Sequence, residues 1–260
     1  MEFIKVEEQQ QVLQIQLNRP DKKNAFHPQM IEELTSAFQS VKNSAARYIH
    51  LCAAGESFCA GADLHWMQSM KDYSFEENKK DSLLLFKMFE TMSQCPLPIT
   101  AKVKGHVMGG ANGLIAMCDI VAAEHSTQFA FSEVRLGLIP AVISPFVLSK
   151  MHKPAARSLM VTGRVFSSEE AYKGGLIEFK GDEVEVDEFL ASVHKSILTA
   201  GPEAVRETIH LLGEVENCFE WEQVRDLTTT AIAKKRISEE GQEGLTAFFA
   251  KRKPAWLVKK

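Results

Sequence analysis

The alternation of hydrophobic and polar positions changes period repeatedly along the chain, and each change marks an element. Apolar and polar residues alternate through Phe3–Glu7 and again through Val12–Leu17, which predicts a β-hairpin. Asn18-Arg19-Pro20-Asp21 interrupts that pattern. From His27 to Asn43 the apolar residues Met30, Ile31, Leu34, Phe38 and Val41 fall at helical spacing, and Tyr48–Cys52 reads as a short strand. Gly55–Ala62 reads as a loop opening into a helix. Glu76–Cys95 reads as a long amphipathic helix carrying Leu83, Leu84, Phe86, Met88, Phe89 and Met92, stopped by Pro96 and Pro98. Ile99–Val103 is a strand, Gly109 and Gly110 open a helix running to Met117, and Asp119–Ala123 and Gln128–Phe131 are further strands. Strand, glycine loop and helix recur, so the pattern predicts an α/β fold of stacked β-β-α units.

From Lys153 onward the strand signals fade. Pro154–Thr162, Ser167–Lys173, Asp187–Ala200, Pro202–Leu212, Glu220–Lys235 and Glu239–Lys251 predict helices. At Gly201-Pro202 a glycine ends one helix and a proline starts the next, which makes a boundary. Residues 1–201 are therefore expected to form the core, and residues 202–260 a helical segment. That segment is too small to bury a large core alone and is expected to pack on another surface.

Composition narrows the class. With 260 residues, 45% hydrophobic and 25% charged, the chain suits one large domain or a domain with a small appendage. A net charge of −4 gives no electrostatic footprint for nucleic acid. No apolar stretch reaches the ~20 residues that span a bilayer, so no membrane partner is expected. The opening MEFIKVEEQQ has neither an apolar signal core nor an Arg/Ser-rich transit pattern, so a cytoplasmic location is expected. The five cysteines, Cys52, Cys59, Cys95, Cys118 and Cys218, are odd in number and show no CxxC spacing. They read as small buried hydrophobes in a reducing compartment. The eight histidines are scattered without HExxH spacing, so no metal is expected. P-loop, dinucleotide and GxSxG signatures are missing too. Lys234, Lys235 and Arg236 read as a solvated helix end.

Two short runs carry the candidate chemistry: Phe58-Cys59-Ala60-Gly61-Ala62-Asp63 and Gly109-Gly110-Ala111-Asn112-Gly113. Each places small residues where a backbone N–H can approach another molecule closely. Two amides converging on one oxygen make an oxyanion hole. Loss of one donor from such a site typically costs ~10²–10³ in rate. The amide of Gly110 falls at a predicted helix start, where unpaired N–H groups and the positive dipole end favour an anion. Glu133 lies in the mostly apolar run FAFSEVRLGLIP, where burial would raise its pKa toward a useful value for proton transfer. The plainer alternative for Glu133 is a loop carboxylate paired with Arg135.

The order LNRPDKKNAF, FCAGADL, GHVMGGANGL…CDIVAAE and FAFSEVRLGLIP resembles the crotonase (enoyl-CoA hydratase/isomerase) family, from Val12 to the terminal FFAKRKPAW. SEVRLGLIPAVISPFV most resembles the bacterial branch that hydrates 3-methylglutaconyl-CoA. The resemblance implies a crotonase fold acting on an acyl-CoA thioester. Coenzyme A would arrive as part of the substrate, and no separate cofactor is implied. It implies that the amides of Ala62 and Gly110 hold the thioester oxygen and that Glu133 handles the proton. It also implies that the C-terminal helices build a homotrimer, commonly paired into a hexamer. The carry-over places Ala60, Ala62, Asp63, Leu64 and Gly109 along the CoA path. Lys22 and Lys23 would meet phosphates as point charges. His65 stands where a lysine is common, and Lys251 matches a lysine that reaches a neighbouring subunit's CoA. Arg135 is a candidate partner for a substrate carboxylate or an orienting group for the Glu133 loop.

One departure stands out. The family's second glutamate has Gly113 in its place. One carboxylate suffices to move a proton between Cα and Cγ, which is isomerisation, or to activate water alone and return a proton to Cα. The branch resemblance implies hydration of a branched or carboxylated 2-enoyl-CoA, which is the expectation here, while the missing glutamate favours the alternative, Δ3-Δ2-enoyl-CoA isomerisation. A third reading is a non-catalytic acyl-CoA- or RNA-binding member of the family. Ala141-Val142-Ile143-Ser144 replaces a glycine-rich stretch and predicts a bulkier acyl wall.

Overall fold

The structure is a computed structural model that describes residues 1–258. Lys259 and Lys260, the end of the expected helical segment, lie outside the described residues. The elements run in order β1 (Ile4–Gln9), β2 (Val12–Leu17), α1 (Pro28–Ser40), β3 (Tyr48–Ala53), α2 (Leu64–Ser69), α3 (Phe75–Ser93), β4 (Ile99–Val103), β5 (His106–Met108) and α4 (Gly110–Ala116). There follow β6 (Ile120–Glu124), β7 (Gln128–Ala130), α5 (Ser144–Lys150), α6 (Lys153–Thr162), β8 (Val165–Ser167), α7 (Ser168–Lys173) and β9 (Phe179–Gly181). The chain closes with α8 (Glu183–Thr199), α9 (Pro202–Glu216), α10 (Trp221–Ile237) and α11 (Glu239–Phe249).

Two compact units result, one of residues 1–95 and 99–191, the other of residues 96–98 with the chain from Ser192 onward. The division runs inside α8, while Gly201-Pro202 is the junction between α8 and α9.

The first unit holds two sheets. The larger has strand order β1-β2-β3-β4-β6-β9, with the hairpin β1–β2 antiparallel and the remaining pairs parallel. The smaller has order β5-β7-β8, with β5 and β7 parallel in the register His106↔Gln128. Only Lys104 and Gly105 separate β4 from β5, so the chain passes from one sheet to the other within two residues. Gly105 makes that corner at φ +63°, and a Cβ there would collide with the Glu56 carbonyl. Phe129 and Phe131 stack on Phe166 at 5.5 and 5.6 Å and fill the interior behind β7.

Strands do continue beyond Lys153. β8 and β9 are edge strands of three residues, as is the likewise unexpected β5. Three residues are too few for a period-2 pattern to register, and sheet neighbours hold such strands in place. Helix α5 also lacked a sequence signal; it starts beside Pro145, whose fixed φ suits a first turn. Phe131–Leu136 leaves the strand for a 3-10 turn, Ser132–Leu136.

In the second unit α9, α10 and α11 pack around Lys235. Its ammonium meets Glu203, Glu207 and Glu240, while Glu240 also accepts the N–H groups of Glu203 and Ala204 at the start of α9. Phe219, Trp221, Ile237, Phe248 and Phe249 of this unit are exposed.

Candidate active site

The site grows from loops that leave the carboxyl ends of β3, β5 and β7. The loop after β3 is captured between two backbones. On one side it extends the small sheet: Phe58 N–H donates to Lys104 O, Cys59 N–H to His106 O and Met108 N–H to Cys59 O, at 2.9 to 3.1 Å. On the other side Ala60 N–H donates to Lys23 O at 3.0 Å, Phe26 N–H to Gly61 O at 2.7 Å and Asp63 N–H to Phe26 O at 2.8 Å. This is a parallel bridge between Phe26 and Ala62. In that pattern the partners flanking Ala62 carry both bonds, which leaves the N–H of Ala62 itself directed away from Phe26. Among the described residues no acceptor takes it. Gly61, at φ +95°, allows the close pass: a Cβ there would stand 3.2 Å from Met108 O.

Gly110 follows two residues after Met108 and is the first residue of α4. Its N–H is among the helix-start donors without an intrahelical acceptor, at the positive end of the dipole. Asn112, fully buried, clamps this turn. Its Nδ2 donates to Val107 O and Gly109 O at 3.2 Å and to Ala130 O at 2.9 Å. Phe26 links the two turns. Its backbone holds residues 61 and 63, and its ring packs against Gly110, where a Cβ would lie 3.4 Å from Cδ2.

Glu133 sits in the 3-10 turn after β7, closed by Gly137 at φ +74°. Its Oε1 lies 3.3 Å from where a Cβ on Gly109 would stand, so the carboxyl reaches the Gly109-Gly110 turn, and a side chain there would crowd it. Its Oε2 is buried without a hydrogen-bond partner. Burial pushes the Glu133 pKa up, opposed only by a hydrogen bond that the carboxyl accepts from its own backbone N–H. A buried carboxyl with one oxygen free, beside the Gly109-Gly110 turn, can take a proton from one atom and return it to another.

The other expected site residues separate into groups. Arg135 is exposed, and its Nε donates to Gly163 O at 2.9 Å, which ties the Glu133 turn to the end of α6. Asp63 is buried and its carboxylate is fully engaged. Oδ2 meets Arg19 Nη1 at 2.7 Å, while Oδ1 caps α2 through His65 N–H at 2.8 Å and Trp66 N–H at 3.3 Å. Burial opposes its ionisation, but the hydrogen bonds from Arg19, His65 and Trp66 outweigh that and hold its pKa below the usual value. The side chain of Asp63 thus serves the protein rather than a ligand, and the N–H of Ala60 is likewise taken by Lys23. Leu64 and His65, at the start of α2, are exposed, as are Lys22 and Lys23. Lys251 belongs to the second unit, two residues after the end of α11. Burial pushes the Cys59 thiol up to about 12, which leaves it inert.

Gly113 is enclosed by apolar groups: a Cβ there would stand 2.7 Å from Phe89 Cζ and 2.8 Å from Ile143 Cγ2. The volume a second carboxylate would need is occupied. The tasks of Phe26, Arg19, Asn24, Asn112 and Phe89 escaped the sequence reading, while Ile143 is expected from the sequence only as part of a bulkier acyl wall. Arg19, Asn24 and Phe26 lie inside LNRPDKKNAF, so their motif was visible although their task was not.

Comparison with known proteins identifies the family. Residues 7–259 match the model of the Enoyl-CoA hydratase/isomerase family. A mitochondrial enoyl-CoA hydratase of Pongo abelii is 29% identical over 248 residues, covering 92% of this chain and 81% of its own length. The crystal structure of an enoyl-CoA hydratase/isomerase (crotonase)-type protein from Legionella pneumophila superposes with TM-score 0.91 at 41% identity, covering 98% of each chain. That of an enoyl-CoA hydratase from Shewanella pealeana gives 0.93 at 36% identity, covering 98% of this chain and 96% of its own. Fold, sequence and relatives agree: the chain has the crotonase fold and belongs to the enoyl-CoA hydratase/isomerase family of enzymes.

Proposed function

We propose that the protein hydrates a branched or carboxylated 2-enoyl-CoA, of the methylglutaconyl-CoA type, with Glu133 as its single acid/base. The observation that carries this is the buried, unpartnered Oε2 of Glu133 beside the Gly109-Gly110 turn. The N–H groups of Ala62 and Gly110 polarise the thioester carbonyl and hold the enolate oxygen that develops. Glu133 takes one proton from water as the oxygen bonds to Cβ, then delivers a proton to Cα, so one water is added overall. Proton transfer and carbonyl polarisation are the whole chemistry, and these groups supply both without a metal or redox cofactor. The pantetheine and phosphates would run past Ala60, Leu64 and His65 toward Lys22 and Lys23.

The filled space at Gly113 supports a second reading, Δ3-Δ2-enoyl-CoA isomerisation. Glu133 would then take a proton from Cα and return one to Cγ, with no water consumed.

Loss of the ultraviolet absorbance of a conjugated 2-enoyl-CoA measures hydration. Conversion of 3-enoyl-CoA alone, with no water added, establishes the isomerase instead. Glu133→Gln should lower kcat by about 10²–10⁴. Unchanged turnover would remove Glu133 from the mechanism. Since the base must be ionised, kcat/KM should rise with pH along a limb lying above the ordinary glutamate value of 4.5.

The exposed Phe248, Phe249, Trp221 and Ile237 support a homotrimeric or hexameric assembly through the helical segment, residues 202–260, with Lys251 serving a neighbouring subunit. Light scattering of the purified chain measures that mass. The five free cysteines support a cytoplasmic setting.

A further inference from the structure

The amide of Ala62 has no side chain of its own to hold it in place. A donor displaced by ~1 Å loses on the order of 10² in rate. Ala62 is half-buried in a loop, so its placement must come from what grips its neighbours.

We infer that Arg19 and Asn24 are positioning residues that set the Ala62 amide through a closed polar ring, an assignment that rests on reading that amide as an oxyanion donor. The ring can be followed atom by atom. Arg19 Nη1 meets Asp63 Oδ2 at 2.7 Å and also donates to Ala25 O at 3.1 Å. One nitrogen of the guanidinium therefore grips the residue after Ala62 and the residue before Phe26. Phe26 in turn bonds residues 61 and 63 on either side of Ala62. Asn24 closes the circuit: its Oδ1 accepts Arg19 N–H at 2.7 Å, and its Nδ2 donates to Ala54 O and Ser57 O, both at 2.8 Å. These two carbonyls lie on the segment that enters the Ala62 loop. Asn24 is fully buried and sits at φ +55°, a left-handed conformation that asparagine tolerates better than most residues. The Arg19 guanidinium also lies 5.6 Å from the centre of the Phe3 ring, which limits its travel.

Buried ion pairs are poor devices for stability alone, because well-packed apolar residues often do as well. In some proteins they serve instead to fix one geometry. Here the geometry fixed is that of the loop carrying an unclaimed N–H. A lysine at position 19 would keep the charge but replace the rigid, planar guanidinium by a compact ammonium on a flexible stem, which holds the two acceptors less firmly.

The test uses the full chain bearing Asp63→Asn, Arg19→Gln or Arg19→Lys. Kinetics are paired with infrared difference spectra of a bound 2-enoyl-CoA labelled with ¹³C at the thioester carbonyl. Asp63→Asn and Arg19→Gln should lower kcat ~10–100-fold with KM changed less than ~3-fold. The carbonyl red shift seen on binding to the wild type should shrink in parallel, and Arg19→Lys should recover part of both. If the variants only melt earlier, with kcat and carbonyl frequency unchanged in the folded protein, the network is merely structural and the inference fails. If Arg19→Gln does not fold, Asp63→Asn and Arg19→Lys decide by the same carbonyl comparison. A wild-type carbonyl with no red shift would overturn the oxyanion reading itself, a different failure from an intact shift that the variants leave alone.

Discussion

The Ala62 turn and the Gly110 turn present the same chemical group, an unclaimed backbone N–H, but are built in opposite ways. The Gly110 turn is local: β5, Gly109 and the start of α4 are contiguous, and Asn112 clamps them from within the same helix. The Ala62 turn is assembled from afar. Phe26, Arg19 and Asn24, some 36 to 43 positions upstream, hold it by backbone bridge and ion pair. A helix start exposes N–H groups by its own geometry. A loop must be told where to stand by other parts of the fold.

The sharpest way to break this comparison is to cut the charged link. Arg19→Ala leaves the Asp63 carboxylate buried without its partner and should cost about 3–5 kcal/mol of unfolding free energy. Denaturant titration measures it, and hydrogen exchange should rise first in residues 59–66. A loss confined to residues 107–114 would reverse the assignment of roles. Cutting the neutral clamp should do less. Asn112→Ala strips the donor from three carbonyls and should cost about 1–3 kcal/mol, with faster exchange in residues 107–114.

The smallest effect, and the most discriminating, is acid. The carboxyl of Asp63 is held below its ordinary value of 3.8. Its contribution is therefore complete above that pH and is lost as pH falls through the folded value. The carboxyl of Glu133, against the Gly109 turn, is raised above its ordinary 4.5. Its contribution is complete when protonated, below 4.5, and is lost as pH rises through the folded value. Acid should thus loosen the Ala62 turn and relieve the Gly110 turn. Exchange rates at pH 3 and pH 6, corrected for intrinsic rates, compare the two directly. Parallel loosening would show that the turns are coupled rather than independently built.

Legibility in the sequence followed the same divide. Long helices such as α1 and α3 and strands of five or six residues repeat their period often enough to be read, and they appear within a few residues of expectation. β5, β8 and β9, at three residues each, carry no period. Glu133 could be marked because FAFSEVRLGLIP resembles the family segment that holds a proton-handling glutamate; its apolar neighbours alone would have left it a loop carboxylate. Arg135 could be noticed in sequence but not placed; its bond to Gly163 O needed α6 in position. The absence of a second carboxylate at Gly113 was plain, whereas the reason, Phe89 and Ile143 meeting over it from α3 and from just before α5, was not.

By itself the sequence determined the periodic elements, the small residues that allow close backbone approach, and the acid set among apolar neighbours. These follow from local sterics and from the spacing of side chains along one segment. Only the tertiary structure decided which distant backbone would leave the Ala62 N–H unclaimed, and that Arg19 would reach Asp63. Such contacts depend on how sheets and loops close on one another, and separation along the chain carries no record of that distance in space.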